Sequence, residues 1–191
     1  TEQARLYYAK RAQLLVKNLQ CRHFEAYYCE NKEQALEKAL ELIPKGATVG
    51  WGGAMSAQQI GLLDALNSGN YHALDRAKCQ TPEEREQNMR DCLFADVFLT
   101  GANGLSLDGQ MVSIDGTGNR VAAICYGPGI VLVVAGMNKV EDTLDDAIRR
   151  ARTVAAPMNK QRFQNQTPCG ITGVCADCKS EGCICNQIVI T

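Results

Sequence analysis

The chain reads as an α/β fold, a mainly parallel sheet flanked by helices, followed by a cysteine-rich tail. Three observations predict this. Short apolar runs alternate with longer stretches of helical periodicity, which is the pattern of strand–helix repeats. Glycine-rich turns follow several of the apolar runs. Five of the ten cysteines crowd into the last two dozen residues, as Cys169, Cys175, Cys178, Cys183 and Cys185.

Taken in order, Tyr8, Ala12, Leu15, Val16 and Leu19 share one helical face, so residues 3–20 form an amphipathic helix. A short strand is expected over 24–28. Asn31, with Gln34 three residues on, starts a second helix that buries Ala35, Leu36, Ala39, Leu40 and Ile43. Residues 47–50 read as a buried strand. Ser56 with Gln59 resembles a capping box for one helix running to Gly69, and a strand follows near 71–74. Thr81-Pro82-Glu83-Glu84 unites a cap, an N1 proline and an N3 acid, which predicts a helix over 82–92. Strands are expected at 97–100, 111–114 and 130–135, with a helix over 118–125 before the last of them. Leu144, Ala147, Ile148, Ala151, Val154 and Ala155 line one long helix that ends before Pro157, and 187–190 reads as an edge strand. The expected division is an α/β domain over 1–160, with its N-terminal helix at 1–20, and a metal-binding tail over 161–191.

Composition narrows the function. The 191 residues, 46% hydrophobic, suffice for one good core. Twenty basic against 21 acidic residues leave a net charge of −1 and no basic stripe, which argues against nucleic acid as the main partner. No apolar run reaches membrane-spanning length, and no secretory signal is visible, so a cytoplasmic location with reduced thiols is expected. With only His23 and His72, the usual base for a Ser-His or Cys-His mechanism is lacking from the strand-end loops.

The tail spacing Cys-x5-Cys-x2-Cys-x4-Cys-x-Cys points to a metal centre. Cys175 and Cys178 can converge on one ion from a tight turn, and a soft thiolate set suits either zinc or an iron–sulfur cluster. Disulfides or idle thiols are the competing readings, and the spacing alone does not choose the metal.

Ligands of open parallel sheets bind at the carboxyl ends of the strands. Three loops lie there by this reading. Gly50-Trp51-Gly52-Gly53-Ala54-Met55-Ser56 offers backbone amides to a phosphate or carboxylate, or is simply a tight turn anchored by Trp51. Gly101-Ala102-Asn103-Gly104 is the second. Asp115-Gly116-Thr117-Gly118-Asn119-Arg120 is the third, where Arg120 suits bidentate anion binding and Asp115 suits acid–base work, unless Asp115 only caps a helix and pairs with Arg120. Lys139 would add positive charge if it faces the same pocket. The candidate ligand-binding set is therefore Gly52, Gly53, Ser56, Asn103, Thr117, Gly118, Asn119 and Lys139, with Asp115 and Arg120 as candidate catalytic residues.

Several motifs together resemble the LUD-domain (lactate utilization) family, in particular short bacterial members with a cysteine tail. They are Val49 to Gly53, Ala95 to Asn103, Gly109 to Ala123, Val134 to Lys139, Ala156 to Asn159, and Thr167 to Cys178, and they span nearly the whole chain. The resemblance implies a context of lactate or hydroxy-acid oxidation beside iron–sulfur partner subunits. It also implies metal ligands at Cys169, Cys175, Cys178 and Cys185, because relatives have Cys-x5-Cys-x2-Cys-x6-Cys-Asn. Cys183 stands where they carry arginine and is the alternative ligand. The family is similar in fold to ribose-phosphate isomerase, glucosamine-phosphate deaminase and coenzyme A transferase. Asn103 here replaces the sugar isomerases' acid, and Ala102 stands where some coenzyme A transferases have a nucleophilic glutamate; neither side chain can do that chemistry.

The resulting expectation is a protein binding a small anionic organic ligand and a cysteine-ligated centre for electron transfer, iron–sulfur preferred and zinc the alternative, with redox partner subunits and room for a homo-oligomer. The competing expectations are a phosphosugar- or acyl-CoA-type enzyme acting through Asp115 and Arg120, and a non-catalytic subunit whose tail is stapled by zinc for partner docking.

Overall fold

A computed structural model describes residues 1–164 and 166–191. In chain order the helices are α1 (Glu2–Cys21), α2 (Lys32–Leu42), α3 (Met55–Gln59), α4 (Leu62–Ser68), α5 (Pro82–Asp91), α6 (Asn119–Cys125), α7 (Leu144–Arg150), α8 (Ala156–Lys160) and α9 (Pro168–Thr172). The strands are β1 (Thr48–Gly52), β2 (His72–Leu74), β3 (Val97–Thr100), β4 (Gly104–Ser106), β5 (Met111–Asp115), β6 (Ile130–Val133), β7 (Val140–Glu141) and β8 (Gln187–Ile190). Two compact units result, one of residues 1–28, 102–118 and 136–191, the other of 29–101 and 119–135. Among the described residues no helix is long and apolar enough to cross a membrane.

The unit of 29–101 and 119–135 is built on a parallel sheet of order β2-β1-β3-β6, with Gly50 opposite Phe98 and Leu99 opposite Leu132. Parallel strands covered on both faces need unbroken apolar runs, and β3 supplies one: all four of its residues are buried. Val49, Val97, Leu99, Leu62, Leu66, Ala39 and Ile43 form the main core. The Asn31 side chain accepts the Gln34 N–H at 2.9 Å, and Gln34 Oε1 accepts the Glu30 N–H at 3.0 Å. Thr81 and Glu84 form the full capping box of α5. The single helix expected from Ser56 to Gly69 is instead two. Gly61, at φ +81°, takes a left-handed conformation that ends α3 and starts α4, and Ser56 sits buried inside α3 with no capping role.

The other unit carries a second, mixed sheet, β7-β4-β5-β8, that the strand pattern did not reveal. β4 and β7 are too short for an alternation to register. β5 runs antiparallel to β4 and to β8, with Ser113 opposite Val189, so the tail closes this sheet as the expected edge strand. Val112, Ile114, Ala147 and Ala151 make its core, with Cys185 packed against them. The strand expected at 24–28 is absent: the chain leaves α1 through His23 at φ +67°, and residues 24–28 join no ladder. Helix α1 is tied to the β4–β5 turn by Asn18 Nδ2 donating to the Leu107 carbonyl at 2.8 Å and by Arg22 pairing with Asp108 at 3.0 Å.

The long helix expected to stop before Pro157 does not stop. Residues Ala151–Ala155 form a π-helical segment between α7 and α8, and Pro157 lies in the first turn of α8. Proline has no N–H to donate and its ring crowds the carbonyl four residues back, so the wider π turn lets the helix pass through it. The shift turns Ala156, Pro157 and Lys160 toward the cysteine tail, where all three line one cavity.

Candidate functional site: a cysteine-lined cavity

Each tail cysteine is held by local structure. Thr167 caps α9, its hydroxyl accepting the Gly170 N–H at 3.1 Å while lying 3.4 Å from the Cys169 sulfur. Gly173, at φ +74°, ends that helix one turn later and sends the chain back toward Cys175. Asp177, at φ +46° between Cys175 and Cys178, pairs with Arg152 of the π segment at 3.1 Å and so pins the Cys-x2-Cys turn to that helix. The Ser180 hydroxyl donates to the Cys178 sulfur at 3.1 Å, and the Cys185 amide lies 3.4 Å from the Cys183 sulfur. The tail then joins the sheet: the Asn186 N–H donates to the Asp115 carbonyl at 3.0 Å, and Asn186 Nδ2 to the Gly116 carbonyl at 2.8 Å.

All five tail cysteines line one cavity of about 50 Å³, together with Arg152, Ala156, Pro157, Lys160 and Thr167. The sulfurs sense one another. Burial, and then the neighbouring Cys183, Cys175 and Cys169, push the Cys185 thiol up to about 12. The Ser180 hydroxyl holds Cys178 below the usual thiol range. The donor set is soft and lines one cavity, which fits zinc or an iron–sulfur centre in kind. It is not closed: among the described residues no group of three or more Cys, His, Asp or Glu side chains is arranged to hold a metal ion as it stands.

The strand-end candidates fall in both units. Gly52, Gly53, Ser56, Asn119 and Arg120 belong to the unit of 29–101 and 119–135. There Arg120 is buried; its Nη1 donates to the Gly101 carbonyl at 3.3 Å and lies 3.5 Å from Thr100 Oγ1, which itself donates to the Gly52 carbonyl at 2.9 Å. Gly53 has φ +63°, and a Cβ there would meet Arg120 Cδ at 3.1 Å, so the glycine lets the arginine stem lie flat on the turn. The structure thus brings the glycine-rich turn and Arg120 together at the ends of β1 and β3.

Asn103, Asp115, Thr117, Gly118 and Lys139 belong to the other unit. Asn103 Oδ1 accepts the Ile114 N–H at 2.9 Å, an anchor for the β4–β5 connection. Asp115 is half-buried at the end of β5, Thr117 is exposed, Gly118 lies beside the Gln187 side chain, and Lys139 ends a short 3-10 turn over Met137–Lys139. The sequence reading missed Lys160, a lysine 1% exposed on the cysteine cavity. Its only signal was its place three residues after Pro157, beyond the point where the helix was expected to end.

The LUD domain family model matches residues 12–191, all five tail cysteines included. The chain belongs to the LUD domain family. Membership of this LUD-domain chain supports a role associated with lactate utilization. Among solved structures it is similar to ribose 5 phosphate isomerase A from Neisseria gonorrhoeae, at 19% identity and a TM-score of 0.37, over 59% of this chain and 54% of that one. A D-ribose-5-phosphate isomerase in complex with phospho-erythronic acid is similar at 18% identity and the same TM-score, again over 59% and 54%. The LUD-domain chain therefore matches about half the length of these isomerases, and the likeness is remote. Among curated proteins no sequence matches it.

Proposed function

We propose that this LUD-domain protein serves lactate or related hydroxy-acid utilization in the cytoplasm by carrying a cysteine-ligated metal centre, an iron–sulfur cluster by preference, that exchanges electrons with redox partner subunits. The observation that carries the reading is the convergence of all five tail cysteines on one cavity. Cys169, Cys175, Cys178 and Cys185 are the ligands, with Cys183 the alternative fourth. When bound, the centre supplies one-electron chemistry. The chain's own contribution is to hold the sulfurs: α9 orients Cys169, the Arg152–Asp177 pair fixes the turn between Cys175 and Cys178, and the core around Ile114 and Ala151 packs against half-buried Cys185.

A small organic anion is the second element of the proposal. Arg120 and the turn at Gly52-Gly53 gather a guanidinium and a glycine-rich backbone at the ends of β1 and β3, and these are the groups a carboxylate or phosphate needs.

One zinc ion is the competing occupant, because a soft thiolate set suits zinc as well as a cluster. Zinc would staple the tail and move no electrons. Anaerobic purification followed by visible absorption and by iron, sulfide and zinc assays separates the two. Brown protein with iron and labile sulfide supports electron transfer; colourless protein with zinc supports the staple; colourless, metal-free protein removes the metal centre altogether.

A further inference from the structure

Lys160 is the one lysine among the described residues that is buried, at 1% exposure, and it lines the same cavity as Cys169, Cys175, Cys178, Cys183 and Cys185. Its Nζ donates to the Gly182 carbonyl at 3.2 Å, one residue before Cys183, and lies 5.6 Å from the centre of the Phe163 ring. Its stem packs on α9 as well: a Cβ on Gly170 would meet Lys160 Cγ at 3.4 Å. Lysine is rarely taken fully out of water, because desolvating an ammonium is expensive unless negative charge offsets it. The π segment and Pro157 deliver this ammonium to the wall of a cavity lined by the five sulfurs, the Thr167 hydroxyl and the Arg152–Asp177 ion pair, whose two charges offset each other.

We propose that Lys160 is the internal counter-cation of the cysteine centre, a positioning residue that offsets the negative charge of the metal–thiolate assembly and ties the Gly182–Cys183 turn to α8. The inference rests on the metal-centre reading above. Four thiolates around a divalent metal carry two net negative charges, and a buried positive charge beside them lowers the free energy of the loaded state relative to the metal-free one. For a redox centre the same charge favours the more negative, reduced form, so it raises the midpoint potential.

Cobalt(II), titrated into the reduced, metal-free full chain against a chromophoric chelator, reports thiolate ligation through its sulfur-to-metal absorption bands. Wild-type chain is expected to develop these bands. Lys160→Met, which keeps the stem and removes the charge, is expected to bind cobalt roughly ten- to a hundredfold more weakly, the usual range for loss of an outer group at a metal site, with Lys160→Arg recovering most of the affinity. If the purified protein holds a cluster, its midpoint potential should fall in Lys160→Met and return toward wild type in Lys160→Arg. Equal cobalt affinity in wild type and Lys160→Met overturns the counter-cation role and leaves the metal centre standing. Equal loss in Lys160→Met and Lys160→Arg assigns Lys160 to shape alone and overturns it too. Wild-type chain without thiolate–cobalt bands sinks the metal centre and this inference together. Should Lys160→Met fail to fold, wild-type chain labelled with 15N-lysine decides: one protected ammonium signal that moves on zinc loading supports the role, and no moving signal overturns it.

Discussion

Asn186 grips the end of β5 twice, its N–H donating to the Asp115 carbonyl at 3.0 Å and its side-chain amide to the Gly116 carbonyl at 2.8 Å. One residue earlier, Cys185 is packed against Val112, Ile114, Ala147 and Ala151. The last cysteine is therefore anchored on the sheet while Cys169, Cys175 and Cys178 sit on α9 and the turn after it. Asn186→Ala removes one of the two hydrogen bonds and is expected to lower stability by about 1 kcal/mol, read from urea denaturation, with a weaker hold on bound metal. Unchanged stability together with unchanged metal retention would mean that β8 pairing alone fixes Cys185.

Gly104 meets the helix above it without any room for a side chain. A Cβ there would lie 2.4 Å from the Ala147 carbonyl oxygen and 3.0 Å from its carbon, both backbone atoms. Gly104→Ala must push β4 away from α7 and is expected to cost about 1–3 kcal/mol. Thermal denaturation checks this, and a melting temperature equal to wild type would contradict the close approach.

Thr81 and Glu84 satisfy each other's exposed backbone donors at the start of α5. Thr81→Ala should lower stability by about 1 kcal/mol, whereas Thr81→Ser should be close to neutral. Equal effects of the two substitutions would show that the hydroxyl is not the capping group.

Cys92 is 3% exposed, and burial pushes its thiol above the ordinary thiol range. Thiolate is the reactive form, so a raised value means slower alkylation at any pH below it. Cys21 and Cys125 are exposed. In iodoacetamide time courses read by mass spectrometry, Cys21 and Cys125 are expected to react in the folded protein and Cys92 only on unfolding. Early modification of Cys92 in folded protein would contradict the packing of Phe98, Ala123 and Cys92 into one cluster.

The parallel sheet was legible because its strands are continuous apolar runs between capped helices. Val97 to Thr100 and the Thr81-Pro82-Glu83-Glu84 start show the two signals at full strength. The second sheet was not legible, since β4 and β7 span only three and two residues and β7 finds its partner, β4, far back in the sequence. Gly61 hid the break between α3 and α4 inside an otherwise helical pattern, because a single glycine is compatible with helix until tertiary packing assigns it a left-handed φ. At the site, cysteine spacing made the five sulfurs legible. Lys160 was not, because its burial depends on a π turn that keeps the helix running through Pro157, against the usual meaning of proline.

The cysteine cavity is tested most directly by metal content per chain in full-length protein purified without oxygen or chelator, compared with Cys175→Ser and Cys178→Ser. One iron–sulfur centre or one zinc ion per wild-type chain, lost in both variants, is the expected result. A metal-free wild-type chain whose five tail cysteines all titrate as free thiols would contradict it.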